Sequence, residues 1–314
     1  MSLASLPLPL LAVPLGLGGL GLAWRQMSGG MQGGWMQGGW AWALGEALML
    51  LTALAWASLA GAHLARAVAH PHMAREDWQH PFRCGFVGAG SIGMMLTAAG
   101  LTPYLPGVAR IVLIVAIVLH LSIGLALMAR VLRGEGSPAM VVPTLMIPLV
   151  GNVLVPVFCV PLGLIELGWM LFGVGMLLWL ALQPLLFARL FDGPPMPPPL
   201  RPALFILLAP SAVGALAVEA LAGPGPAMWA LYGLAAFTFA LLLMALRFLV
   251  AGGFTLGFWA FTFPLAAFTA CTIKLAPGWI GMGMLTVTTI VISAIAGRTL
   301  SIALRGSLKL AKAA

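Results

Sequence analysis

The sequence predicts an all-α integral membrane protein with ten transmembrane helices. Three observations carry that expectation: very little charge, ten long apolar runs, and basic residues gathered on one side. Of the 314 residues, 62% are hydrophobic and 7% are Asp, Glu, Lys or Arg, whereas soluble domains carry roughly 25% charge. A surface that poor in charge does not keep a monomer dispersed in water, so lipid is the fitting solvent. Each crossing of the hydrocarbon takes about 20 apolar residues, and ten crossings leave only short connections. The whole of 1–314 is read as one transmembrane domain.

Span 1, about 5–24, is the run SLPLPLLAVPLGLGGLGLAW. No basic side chain precedes it, unlike the charged start of a cleaved leader, so it is read as a retained helix. Span 2, about 41–65, opens after the turn SGGMQGGWMQGGW, and span 3, about 83–101, after the polar stretch HPHMAREDWQHP. Span 4, about 106–129, follows LTPYLPG; span 5, about 139–160, follows RVLRGEGSP and nearly abuts span 6, about 163–188. Span 7, about 201–222, follows DGPPMPPP, and span 8, about 225–248, follows LAGPGP. Span 9, about 253–273, is set off by VAGG and closed by LAPG, which leads into span 10, about 278–299. Gly/Pro clusters of this kind punctuate helices.

Charge placement tests the count independently. Alternating sides at each crossing puts twelve of the fifteen Lys/Arg residues on the side of the N-terminus, and leaves Arg25, Arg110 and Lys274 on the other. That is a positive-inside bias, so both termini are expected in the cytoplasm. It also accounts for the net charge of +8 without a nucleic-acid partner, since no basic face accompanies a soluble module. Glu46, Glu166 and Glu219 fall near outer ends of spans, where headgroups or water would meet them. No carboxylate is expected at mid-membrane, where a proton-coupled relay would need one. Trp35, Trp40, Trp42 and Trp229 suit an outer aromatic belt.

Proline and glycine sort the spans. Kinks and small residues crowd the odd-numbered ones: Pro14 and Gly18 in span 1, Gly90 in span 3, Pro148 in span 5, Pro210 in span 7, Gly257 and Pro264 in span 9. Spans 2, 4, 8 and 10 have no internal proline; span 6, with Pro184, is the exception. A helix proline frees a carbonyl, which in lipid is costly unless protein or cavity water satisfies it. The pattern predicts five helical hairpins, with an inner ring of odd-numbered spans around a central pore and the even-numbered spans against lipid. Close helix packing alone is the competing explanation of the small residues.

No catalytic signature is present: no HExxH, P-loop, GxSxG elbow or dinucleotide fingerprint. The chain is therefore not expected to be an enzyme or to hold a cofactor or metal. Cys84, Cys159 and Cys271 make no CxxC pair and are expected in the core. His63, His70, His72 and His80 gather near Arg75, Glu76 and Asp77 around the first cytoplasmic loop; they form either a metal or pH-sensing patch or, as preferred here, an ordinary wetted loop. His120 lies mid-span 4, where a hydrogen bond to a neighbouring helix is expected. The hydroxyl and amide candidates for a pore lining are Ser91, Thr97, Asn152, Ser211, Thr262, Thr269 and Thr272. Such a lining binds weakly, as conduction of a small monovalent anion requires. In span 9, Phe258, Trp259, Phe261 and Phe263 lie near Pro264; a ring beside a kink can plug a narrow channel, although any single ring is more often packing.

The stretch FWAFTFPLAAFTACTIK of span 9 resembles the tellurite-resistance/dicarboxylate transporter family, which includes the bacterial tellurite-resistance membrane protein and the slow anion channel of plant guard cells. PLGLGGLGLAW, HPFRCGF, LFGVGMLLWLALQPLLFARL and LRPALFILLAPSAVGALA extend the resemblance along the chain in order. It implies a homotrimer with one channel per subunit, anion conduction without energy coupling, and a gate at Phe263. It also implies an anion-attracting role for Lys274 at the outer mouth. The partners implied are small inorganic anions such as chloride and nitrate, and membrane lipid; the implied location is the bacterial inner membrane. Gln183–Pro184 departs from the bacterial relative, which has a glutamate before that proline. Because the family also covers carriers, export of tellurite or transport of C4-dicarboxylates is the alternative activity.

Overall fold

The computed structural model describes residues 3–29 and 39–304. Trp35, Arg305, Lys309 and Lys312 lie outside the described residues. Among the described residues there is helix and no strand. Ten helical segments are long and apolar enough to cross a membrane: Leu8–Gly29, Trp40–Ala69, Cys84–Leu101, Pro106–Leu132, Pro143–Leu162, Ile165–Asp192, Pro198–Ala222, Pro226–Met244, Leu256–Leu275 and Trp279–Leu304. They are spans 1 to 10 of an all-α, multi-pass integral membrane protein.

Local chemistry explains the boundaries. Spans 4 and 8 begin at Pro106 and Pro226, where a missing N–H costs nothing because the first turn has no carbonyl to pair it with. Span 5 ends where Gly163 turns left-handed, φ +69°. Span 9 starts at Leu256, three residues later than expected, because Gly253 takes φ +74° and breaks the helix there. Proline also makes two spans irregular. Span 5 alternates short α and 3-10 segments through Pro143, Pro148, Pro156 and Pro161. Span 7 enters as an eleven-residue 3-10 helix, Pro198–Leu208, before becoming α-helical at Ala209. Pro202 and Pro210 remove donors from the α pattern, and tighter i→i+3 bonding takes over.

Burial divides the spans into two sets. In the odd-numbered spans 67% to 83% of the most apolar window is buried, and in the even-numbered ones 11% to 28%. Span 6 belongs to the second set, with Pro184 inside an unbroken helix. Small residues let the buried backbones approach. A Cβ added at Gly88 of span 3 would stand 2.8 Å from Pro148 Cα of span 5, and one at Gly175 of span 6 would stand 2.5 Å from the Val153 backbone nitrogen. With little hydrophobic force between helices in lipid, such close packing does the holding.

Ion pairs tie the ends. Arg25 of span 1 forks onto Glu46 of span 2, with Nε and Nη2 each 2.7 Å from a carboxylate oxygen. It also donates to the Ala99 and Gly100 carbonyls of span 3, both at 3.1 Å. On the opposite side, the stretch expected as a wetted loop contains a helix, Pro71–Gln79. Its Asp77 is buried between Arg66 Nη1 at 2.5 Å and Arg83 Nη1 at 2.9 Å. Arg130 donates to the Trp78 carbonyl from 2.6 Å. His80 Nδ1 accepts the Phe82 and Arg83 amides, both at 3.2 Å. Burial, and then the Arg83 charge, push the His80 pKa below the ordinary histidine value against the opposing pull of Asp77.

Candidate pore

A cavity of about 60 Å³ lies among the buried spans, large enough for water. Every residue bordering it belongs to an odd-numbered span; Leu15, Ile92, Val150, Pro210 and Phe263 represent spans 1, 3, 5, 7 and 9 in turn. The wall consists of aliphatic and aromatic side chains, glycine and proline, with no charged side chain. Such a wall gives an ion no strong partner.

Span 9 presents one ring differently from the rest. From Trp259 to Ile273 every residue is buried except Phe263, which is half-buried and borders the cavity beside Pro264. Pro264 has no N–H for the Ala260 carbonyl one turn earlier, and Ala260 also borders the cavity. The neighbouring rings are fixed elsewhere. Phe261 stacks on Phe205 with centroids 4.2 Å apart and on Phe258 at 5.4 Å, and Phe258 stacks on Phe254. Trp259 borders the cavity but donates its Nε1–H to Thr299 Oγ1 at 3.0 Å. Phe263 meets span 1 at Gly19, where an added Cβ would lie 3.3 Å from the ring.

Seven of the other sequence-predicted pore residues, Pro14, Gly18, Gly90, Pro148, Asn152, Gly257 and Thr262, do not border this cavity. Pro210 and Pro264 border it with Phe263. Pro14 packs toward Gly93, Gly18 against Thr52 and Leu96, and Pro148 against Gly88. The Gly90 carbonyl accepts Trp56 Nε1–H at 2.9 Å. Gly257 is buried near Thr255 at the start of span 9. Thr262 donates to the Trp259 carbonyl at 2.7 Å and faces Gly16. Asn152 is buried, with Nδ2 donating to the Leu149 carbonyl and Oδ1 without a partner.

The hydroxyls bond within the helix packing. Thr97 donates to the Gly93 carbonyl and Ser211 to that of Leu208. Thr269 meets Thr288 of span 10 at 2.6 Å, and Thr272 meets Tyr232 of span 8 at 3.2 Å. None of them borders the cavity. Leu15, Ile92, Val150 and Gly151 do. Sequence reading passed over the three aliphatic residues because nothing separates such a side chain in a pore wall from one in a core.

Lys274 ends span 9 and is paired with Glu219 of span 7, so its charge is locally cancelled. Glu46 and Glu219 are thus both held in ion pairs. His120 of span 4 reaches between spans 3 and 5, with Nδ1 2.8 Å from Ser91 Oγ. Among the described residues, no three His, Cys, Asp or Glu side chains gather as metal ligands would.

The chain is similar to two proteins of Arabidopsis thaliana. It is 27% identical to S-type anion channel SLAH3 over 241 residues, which is 75% of this chain and 36% of that protein. It is 27% identical to S-type anion channel SLAH2 over 208 residues, 64% of this chain and 39% of that protein. The chain thus spans well under half the length of these relatives. The family model described as SLAC1, voltage-dependent anion channel, matches residues 5–300, and the chain belongs to that family.

Proposed function

We infer that this protein is a passive channel for monovalent anions of the chloride or nitrate type, with the Phe263 ring closing the pore. One observation carries the reading: residues of all five buried spans, and of no other span, border a cavity that includes the half-buried Phe263 ring. Family membership supports the ionic class, as do the names of the relatives. Weak binding suits passage, because an ion must leave as readily as it enters. A wall with no carboxylate gives cations no foothold. The odd-numbered spans form the inner ring, the even-numbered ones face lipid or neighbouring subunits, and three copies each carry their own conduit. Both termini lie in the cytoplasm, in keeping with the distribution of arginine and lysine.

The test is Phe263→Ala in a planar bilayer. Removing the ring opens the conduit, so anion current rises manyfold over the parent at equal protein density. Unchanged current from folded, inserted protein would remove Phe263 from the gate. Saturable, gradient-coupled uptake of a dicarboxylate or tellurite with little current would replace the channel by a carrier.

A further inference from the structure

The geometry points to a second ligand site on the cavity wall: His120, behind Gly151, binds a proton and a monovalent anion together. The site rests on the channel reading and adds to it a group that none of the preceding roles uses.

His120 is fully buried on span 4 and reaches inward between two cavity-forming spans. Ser91 Oγ lies 2.9 Å from the Gly88 carbonyl and 2.8 Å from His120 Nδ1. A serine has one proton to give. The Gly88 carbonyl, having none, must receive it, so Nδ1 carries the hydrogen that points at Ser91. In the neutral ring Nε2 is then a bare acceptor, and it has no partner. The Cε1–Nε2 edge lies over Gly151: a Cβ added there would sit 2.8 Å from each of those atoms. Gly151 and its neighbour Ile92 both border the cavity. Only a glycine's width of wall therefore separates an unsatisfied imidazole nitrogen from the conduit.

A buried acceptor left unpaired is costly, and so is a buried cation without a counter-charge. No charged side chain faces the ring from spans 3, 4 or 5; its polar neighbours are Ser91 Oγ and the Gly88 carbonyl. An anion in the cavity meets both needs at once. Protonation turns Nε2 into an N–H group facing Gly151 of the cavity wall, and an anion on the far side of that glycine supplies the missing counter-charge through space. Each ligand then strengthens the other by the same factor, as linkage requires. A unit charge several ångströms from the ion in a medium of intermediate dielectric makes that factor on the order of tenfold.

Two measurements test the site. In a Phe263→Ala background, half-saturating chloride for the anion current falls on the order of tenfold between about pH 8 and about pH 4, spanning the ordinary histidine range. In Phe263→Ala/His120→Asn, where the amide replaces the Nδ1–H donor to Ser91, that pH dependence disappears. A flat response with His120 present, or an undiminished one without it, overturns the proposal. The second measurement does not need conduction. In ¹⁵N-histidine-labelled protein, the Nε2 resonance lost in His120→Asn moves from the bare to the protonated position on acidification. It does so at higher pH in chloride than in gluconate. No difference between the two salts overturns the site even if the channel conducts. A chloride-dependent shift without anion current in Phe263→Ala supports the site and refutes the channel.

Discussion

Neutralising Glu219 should turn the end of span 9 into an anion trap. Lys274 and Glu219 are bonded to each other and partly exposed, with side chains 32% and 23% accessible, so the water dielectric governs their field. Glu219→Gln removes the counter-charge and leaves one net positive charge. At about 5 Å in water a unit charge is worth ~0.8 kcal/mol, nearly fourfold in local anion concentration. At physiological ionic strength the Debye length is about 8 Å, and the enrichment shrinks to about twofold. Lys274→Gln leaves the lone carboxylate and should reduce entry by similar factors; the double variant should return to the parental value. The assay is anion current carried from the Lys274 side at low and at physiological salt, in the Phe263→Ala background. Single variants that shift current in the same direction, or effects indifferent to salt, would refute Lys274 as an electrostatic entry site.

Other consequences follow from the packing. Arg25→Ala strands Glu46 and two carbonyls, so thermal unfolding in detergent should report a loss of about 3 kcal/mol; Glu46→Gln keeps the carbonyl contacts but leaves the buried Arg25 guanidinium without its counter-charge, and should cost about as much. Gly175→Ala drives a methyl to 2.5 Å from the Val153 nitrogen and should cost about 1–3 kcal/mol. Gly173→Ala on the same helix meets open space and should stay within about 0.5 kcal/mol. The depressed pKa of His80 means that the folded state binds fewer protons than the unfolded one. Its contribution is therefore complete above the ordinary value of about 6.5 and is lost as the pH falls below it. Protonation also takes the Nδ1 acceptor from the Phe82 and Arg83 amides. Their protection from hydrogen exchange, relative to the intrinsic rate at each pH, should fall in acid, and in His80→Leu it should be low at every pH.

The ten spans were legible because hydropathy and Gly/Pro punctuation are local signals. Spans 4 and 8 start within a residue of the expected positions, where Pro106 and Pro226 fix the first turn. What stayed hidden depends on partners distant in sequence. Glu219 and Lys274 stand 55 positions apart, and no pattern within either helix says that they meet. Asp77 sits in a run of polar residues that reads as solvent-exposed, yet Arg66 and Arg83 bury it. Span 9 offered four rings near Pro264, of which the resemblance alone singled out Phe263; in the packing Phe261 and Phe258 have stacking partners and Trp259 has Thr299, whereas Phe263 borders the cavity. The hydroxyls chosen for the lining were reasonable by chemistry. Within helices, however, a threonine readily spends its proton on a carbonyl one turn back, as Thr97 and Thr269 do.

The greasy wall of the central cavity has a consequence for how such a conduit shuts. Where few groups can hydrogen-bond to water, liquid retreats from a narrow passage before the walls touch, and dewetting alone blocks ions. On the proposed gate, swinging the Phe263 ring aside is then only half of opening; the chamber must also widen enough to stay wet. An apolar pocket of this kind can also host xenon or similarly small apolar guests, and any that lodge there should silence the current without touching a single charged residue.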